Sequence, residues 1–219
     1  MRLGIFGGSF DPVHYGHLLL AESCREQLVL DEVWLVPAHV SPHKQHAHPA
    51  DGATRVEMLK LAVAGHPQLV VSTLELDREG VSYTVDTLDE LRQQDTNREL
   101  LLLMGADSLY DLPRWRDPKR ICQLATLAVV QRPGSPEVDF GCLREFASPE
   151  QISLFRRHVV TMPMIGISSS DIRSRTAQGR SIRYLTPRSV EKYIETQGLY
   201  GDPEPEVEPA EKPPSCEPT

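Results

Sequence analysis

Six short apolar runs, at residues 3–6, 32–36, 69–71, 100–104, 126–130 and 159–161, recur along the chain with stretches of helical periodicity between them. Runs of this length that are apolar without alternation read as strands buried on both faces. The intervening patterns predict helices at 18–28, 54–64, 84–94, 118–123, 169–176 and 187–196. Asp51 and Ser168 stand as start signals, and Pro187 as a first helical residue. Strands separated by helices imply an α/β fold with a doubly wound, mostly parallel sheet. Ligands of such sheets sit beyond the carboxyl ends of the strands, which directs attention to the loops after Phe6, Pro37, Met104 and Val130.

The 219 residues are 40% hydrophobic and 25% charged, which suits one globular domain and excludes a fibrous or wholly disordered chain. Net charge is −8, but six acids and six of the 18 prolines fall in Gly201–Thr219. That segment reads as a disordered acidic tail, leaving a domain over residues 1–200 with a charge of only −3. No basic footprint for nucleic acid or an anionic membrane surface exists, so any anion site must be local. No apolar run approaches the ~18 residues of a membrane span, and no secretory segment opens the chain. The four cysteines lack metal-ligand spacing and suit reduced thiols, so the expectation is a cytoplasmic protein. Oligomeric state is not written in the sequence; a homo-oligomer is compatible with it.

The first candidate loop, Gly7-Gly8-Ser9-Phe10-Asp11-Pro12-Val13-His14-Tyr15-Gly16-His17, runs from the first strand into the first helix. Two glycines there let backbone amides close on a phosphate beside a helix N-terminus, although a Gly-Gly turn also serves as a plain tight connection. It is neither a Walker A loop nor GxGxxG. His14 and His17, three apart, fall on one helix face and are expected to point at whatever the glycine turn holds. With no Glu between them and no third ligand nearby by spacing, they read as hydrogen-bond donors to phosphate oxygens and not as zinc ligands. A second segment, Gly166-Ile167-Ser168-Ser169-Ser170-Asp171-Ile172-Arg173, offers a capping Ser168, free amides and an Arg173 suited to a polyphosphate, or simply an ordinary capped helix.

Together these segments resemble the GGxFDPxHxGH and ISSTxIR motifs of the HxGH nucleotidyltransferases, with Ser170 in place of the Thr. Within that superfamily residues 1–200 are most similar to the bacterial nicotinate-nucleotide adenylyltransferases. Ser82-Tyr83-Thr84-Val85-Asp86-Thr87 resembles the family's SYTxDT segment, and Gly105-Ala106-Asp107 followed by Trp115 resembles its GxDxxxxLxxW stretch. Pro42-His43-Lys44 matches a PPHK-like loop with Ser41 where the first Pro is usual.

The resemblance implies a Rossmann-like nucleotidyltransferase fold that transfers AMP from ATP to nicotinate mononucleotide. In it Gly7, Gly8, Ser9, Phe10, Gly105, Asp107, Ile167, Ser168 and Ser169 bind ATP, with Mg²⁺ carried on the phosphates. His14, His17, Lys44 and Arg173 are the expected catalytic group. Lys44, Tyr83, Thr84, Trp115 and Arg132 are expected on the pyridine nucleotide, and Arg55 as a further phosphate contact. Read by themselves, Trp115 also suits a packing role, Thr84 a helix cap and Asp86 a first-turn acid. His39, His43, His46 and His48 read as a polar loop and not as a zinc site. Alternatives are the same chemistry on nicotinamide mononucleotide or another phosphate acceptor, or an adenylate-binding module without catalysis.

Overall fold

A computed structural model describes residues 1–40, 50–78, 80–131, 134 and 136–201. The strands are β1 (Arg2–Gly8), β2 (Glu32–Pro37), β3 (Leu69–Val71), β4 (Glu99–Gly105), β5 (Thr126–Gln131) and β6 (Val159–Thr161). They pair in the order β3-β2-β1-β4-β5-β6, every pair parallel. Each of the six apolar runs is therefore a strand, and the sheet is wholly and not just mostly parallel. The switch in strand order falls between β1 and β4, the place where doubly wound sheets open a crevice.

The helices are α1 (Tyr15–Gln27), α2 (Gly52–Val63), α3 (Thr84–Gln94), α4 (Ala106–Asp111), α5 (Pro118–Leu124), α6 (Pro149–Arg156), α7 (Ser169–Ala177) and α8 (Arg188–Thr196). Along β4 the side chains alternate between two cores: Leu101 and Leu103 join one, Leu100, Leu102 and Met104 the other. All five are buried, so truncating one to Ala removes about 2–5 kcal/mol.

Several expectations are corrected. Gly7 and Gly8 are not loop residues but the end of β1, because β2 continues beside them as Val36 and Pro37. Helix α1 starts at Tyr15 and not at residue 18, since His14 is its cap. Pro187 caps α8 from outside instead of opening it. Helices α4 and α6 were not expected; α6 has a capping box in which Ser148 and Gln151 exchange hydrogen bonds. The tail lies, beyond Gly201, outside the described residues.

Candidate active site

The site begins where β1 ends. Phe10 turns the chain at φ 48° and buries its ring, and a Cβ on Gly8 would lie 3.2 Å from that ring. Only glycine leaves Phe10 its place. The Phe10 ring meets Phe6 edge-on at 5.4 Å and His17 at 5.0 Å, so it props both the strand end and the imidazole.

His14 and His17 stack, their ring centroids 3.7 Å apart and their planes 22° from parallel. The His14 backbone N–H donates to His17 Nδ1 at 3.3 Å, which makes that nitrogen an acceptor and leaves the proton on Nε2. His14 is 6% exposed, and burial lowers its pKa to about 4, so it is neutral at physiological pH. A Cβ on Gly16 would stand 3.0 Å from the His14 ring. The glycine of the H-x-G-H spacing is thus the gap into which the first imidazole folds.

The carbonyl oxygens of the loop are held from behind by four remote side chains. Arg55 Nη1 donates to Ser9 O at 3.0 Å, Arg173 Nη1 to Asp11 O at 2.7 Å, Ser169 Oγ to Pro12 O at 2.9 Å and Thr186 Oγ1 to Val13 O at 2.7 Å. Tied this way, the negative ends of these peptides are neutralised away from the strand edge. Two expectations change. Arg55 is 3% exposed and also donates to Ala50 O, so it holds the loop instead of reaching for a phosphate. The Ser169 hydroxyl, expected on a phosphate, instead donates its proton to the Pro12 carbonyl, while its backbone amide stands at the α7 N-terminus. Ser168 caps α7 as expected, accepting from the Asp171 N–H at 3.1 Å.

On the other side of the glycine edge lies a cavity of about 330 Å³. Its walls include Gly7, Gly8, Ser9, Tyr83, Thr84, Gly105 and Trp115. Tyr83 caps α3 and Thr84 is its first residue, so the cap expected at Thr84 sits one residue earlier. Trp115 ends the 3-10 turn Leu112–Arg114 and is half-buried. The guanidinium of Arg116 lies 4.7 Å over the Tyr83 ring and 3.4 Å from Asp86, so a fixed cation stands at the cavity wall. Glu75, 6% exposed, accepts from Thr87 Oγ1 at 2.6 Å, and desolvation raises its carboxyl pKa. A further cavity of about 380 Å³ at the amino ends of β4 and β5 borders Arg92. That guanidinium is already bonded to the carbonyls of Thr96, Arg98 and Leu124.

The expected residues therefore fall into two groups that share the glycine edge. Phe10, His14, His17, Ser169 and Arg173 gather around residues 9–17; Tyr83, Thr84, Gly105 and Trp115 line the cavity. Asp107 is exposed in the first turn of α4, and Ile167 packs against the core. His39 bonds to Ser82 and Gly80, whereas Lys44, Arg132, His43, His46 and His48 lie outside the described residues. Sequence reasoning missed Glu75, Arg114, Arg116 and Tyr200. The Arg-Trp-Arg run at 114–116 was a usable signal for two of them; the others become visible only through distant partners.

The cytidylyltransferase-like family profile matches residues 5–175. A relative from Thermomicrobium roseum, named "Probable nicotinate-nucleotide adenylyltransferase", is 47% identical over 201 residues, covering 91% of each chain. One of the same name from Thermus thermophilus is 48% identical over 200 residues, covering 91% of this chain and all of its own. Among solved structures, the Plasmodium falciparum nicotinic acid mononucleotide adenylyltransferase complexed with NaAD superposes with a TM-score of 0.70 at 18% identity, over 91% of this chain and 97% of that one. The last likeness bears on fold alone, but identity near one half along nearly the whole length settles descent: the chain belongs to the nicotinate-nucleotide adenylyltransferase family, within the cytidylyltransferase-like nucleotidyltransferases.

Proposed function

We propose that this protein transfers AMP from ATP to the 5′-phosphate of nicotinate mononucleotide, releasing pyrophosphate and forming nicotinate adenine dinucleotide. The observation that carries the reading is the glycine edge of β1, with the stacked His14–His17 pair on one side and an aromatic cavity on the other. The attacking phosphate, with a second pKa of about 6, is already largely dianionic, so no general base is needed. The protein's task is to bring two polyanions within ~3–3.5 Å and to neutralise the charge that builds.

In this reading the backbone of Gly7, Gly8, Ser9 and Phe10 cradles the nucleotide and His17 Nε2–H donates to the α-phosphate. Neutral His14 stacks on that ring and orients it through its backbone N–H. Arg173, the amides at the α7 N-terminus and Lys44 receive the flanking phosphates, while Gly105 and Asp107 face adenosine. Mg²⁺, held by phosphate oxygens and water, would screen the charge of the triphosphate.

The pyridine ring occupies the cavity against Trp115 and Tyr83, its carboxylate toward the N-terminus of α3. That helix end, with Arg114 and Arg116 on the cavity wall, supplies positive potential and favours the nicotinate acceptor over nicotinamide. Reaction in the cytosol is part of the proposal: Cys24, Cys122 and Cys142 are free thiols, and no helix among the described residues is long and apolar enough to cross a membrane.

A coupled pyrophosphate-release assay with ATP or CTP and each of nicotinate mononucleotide, nicotinamide mononucleotide, phosphopantetheine and glycerol phosphate tests the assignment. The expected result is the highest kcat/KM for ATP with nicotinate mononucleotide. A higher value for another acceptor replaces the substrate, and ATP binding without turnover of any acceptor replaces the enzyme with a binding module.

A further inference from the structure

Asp11 is 3% exposed, and its carboxylate is where the loop meets the far end of the chain. Helix α8 packs against α2, with Ser189 Oγ donating to Leu61 O at 3.0 Å. After that helix the backbone turns back at Tyr200, φ 62°, and the Tyr200 hydroxyl donates to Asp11 Oδ1 at 2.5 Å. The Ala50 N–H reaches the same oxygen at 3.2 Å. Oδ2 stands 3.8 Å from Arg173 Nη1, close enough for ion-pair attraction but too far for a hydrogen bond, while that nitrogen donates to the Asp11 carbonyl.

This geometry is unusual for an Arg beside a buried carboxylate, where two parallel hydrogen bonds are the stable default. Both donors to Oδ1 oppose the rotation that would create that fork. Among the described residues the hydrogen bond and ion pair of Arg173 both run through Nη1, and its side chain is 33% exposed.

We propose that Tyr200 is a positioning residue of the adenylyl-transfer site: its hydroxyl pins the Asp11 carboxylate so that Asp11 steadies the Arg173 guanidinium without capturing it. The inference rests on the function proposed above for its catalytic meaning, but not for the geometry. Burial, and then the Asp11 carboxylate, raise the Tyr200 phenol pKa, so the hydroxyl stays a donor throughout the physiological range.

The test compares the full chain with Tyr200→Phe, Arg173→Ala and the double variant. In Tyr200→Phe, kcat is expected to fall about tenfold, the scale of one charge-assisted hydrogen bond, with KM for nicotinate mononucleotide unchanged. In the Arg173→Ala background the same substitution is expected to cost less than about twofold, since the two changes break one chain of contacts. A merely structural Tyr200 would instead give penalties that multiply. Hydrogen exchange of the ligand-free proteins gives a readout free of any assumed substrate. Amides at Ser9 to His14 are expected to exchange faster in Tyr200→Phe, while those of β1 and β4 stay protected. Unaltered loop exchange, or multiplying kinetic penalties, overturns the proposal. A parent chain that turns over no acceptor refutes the function, and loop exchange then decides the role of Tyr200.

Discussion

The two sides of the glycine edge are built on opposite plans. Around residues 9–17 four loop carbonyls are held by four distant side chains, and Asp11, His14 and Arg55 are all buried, with His14 Nδ1 left without a hydrogen-bond partner among the described residues. Across the edge lies an open cavity whose aromatic and arginine walls are half-buried or exposed. The difference matches the two tasks. Where charge develops on phosphorus, donors must be fixed beforehand, because reorganising them during reaction would raise the barrier. Where a flat ring binds, the ring itself completes the packing. The loop should therefore govern kcat and the cavity KM.

The most direct way to break that division is His17→Ala. It is expected to lower kcat by about 10²–10³, the loss typical of one preorganised donor, while circular dichroism and melting stay near the parent's. Near-normal turnover would remove His17 from the mechanism. Gly16→Ala comes next, because its Cβ would sit 3.0 Å from the His14 ring and push on the stacked pair without deleting a donor. Displacing His17 by a fraction of an ångström is expected to lower kcat by about 10–100-fold, and an unchanged kcat would show that the stack is not what aims the imidazole.

Trp115→Ala should do the reverse. Losing the ring's stacking on the pyridine is expected to raise KM for nicotinate mononucleotide about tenfold, from about 0.5–2 kcal/mol of contact, with kcat within about twofold. A fall in kcat at constant KM would place Trp115 with the reacting phosphates and erase the distinction between the two sides.

The same contrast explains what the sequence could disclose. All six strands were legible because each is a short apolar run bounded by turn residues, and burial on both faces leaves few other uses for such runs. The S-x-x-Q signature at Ser148 to Gln151 was equally visible, and overlooking it cost helix α6. In the site, His14 and His17 were marked by their spacing, and Ser168 and Arg173 by the likeness of their segment to a family motif. The groups that hold them were not: Arg55 meets Ser9 46 residues away, and Tyr200 meets Asp11 across 189. Such partners share no period or spacing with the residues they serve, so their roles exist only once the sheet has closed. Arg55 shows the hazard most plainly, since its match to a basic position of the family invited a phosphate and its burial assigns it to a carbonyl.

The last comparison runs through stability instead of rate. His14 is neutral in the fold, with a pKa lowered to about 4 by burial, against 6.5 for the exposed side chain. Below pH 6.5 the unfolded chain therefore takes up a proton that the folded chain refuses. The penalty is absent above that pH, grows as pH falls, and levels off near pH 4 at about 3 kcal/mol. In His14→Asn this component disappears, so urea midpoints measured from pH 7 to 4 are expected to fall less steeply than the parent's. The carboxylates that also protonate there are common to both chains and drop out of the difference. No residue on the cavity side is expected to behave this way through an imidazole. Parallel curves for parent and variant would mean that His14 is hydrated in solution, and that the loop is no more closed to water than the cavity beside it.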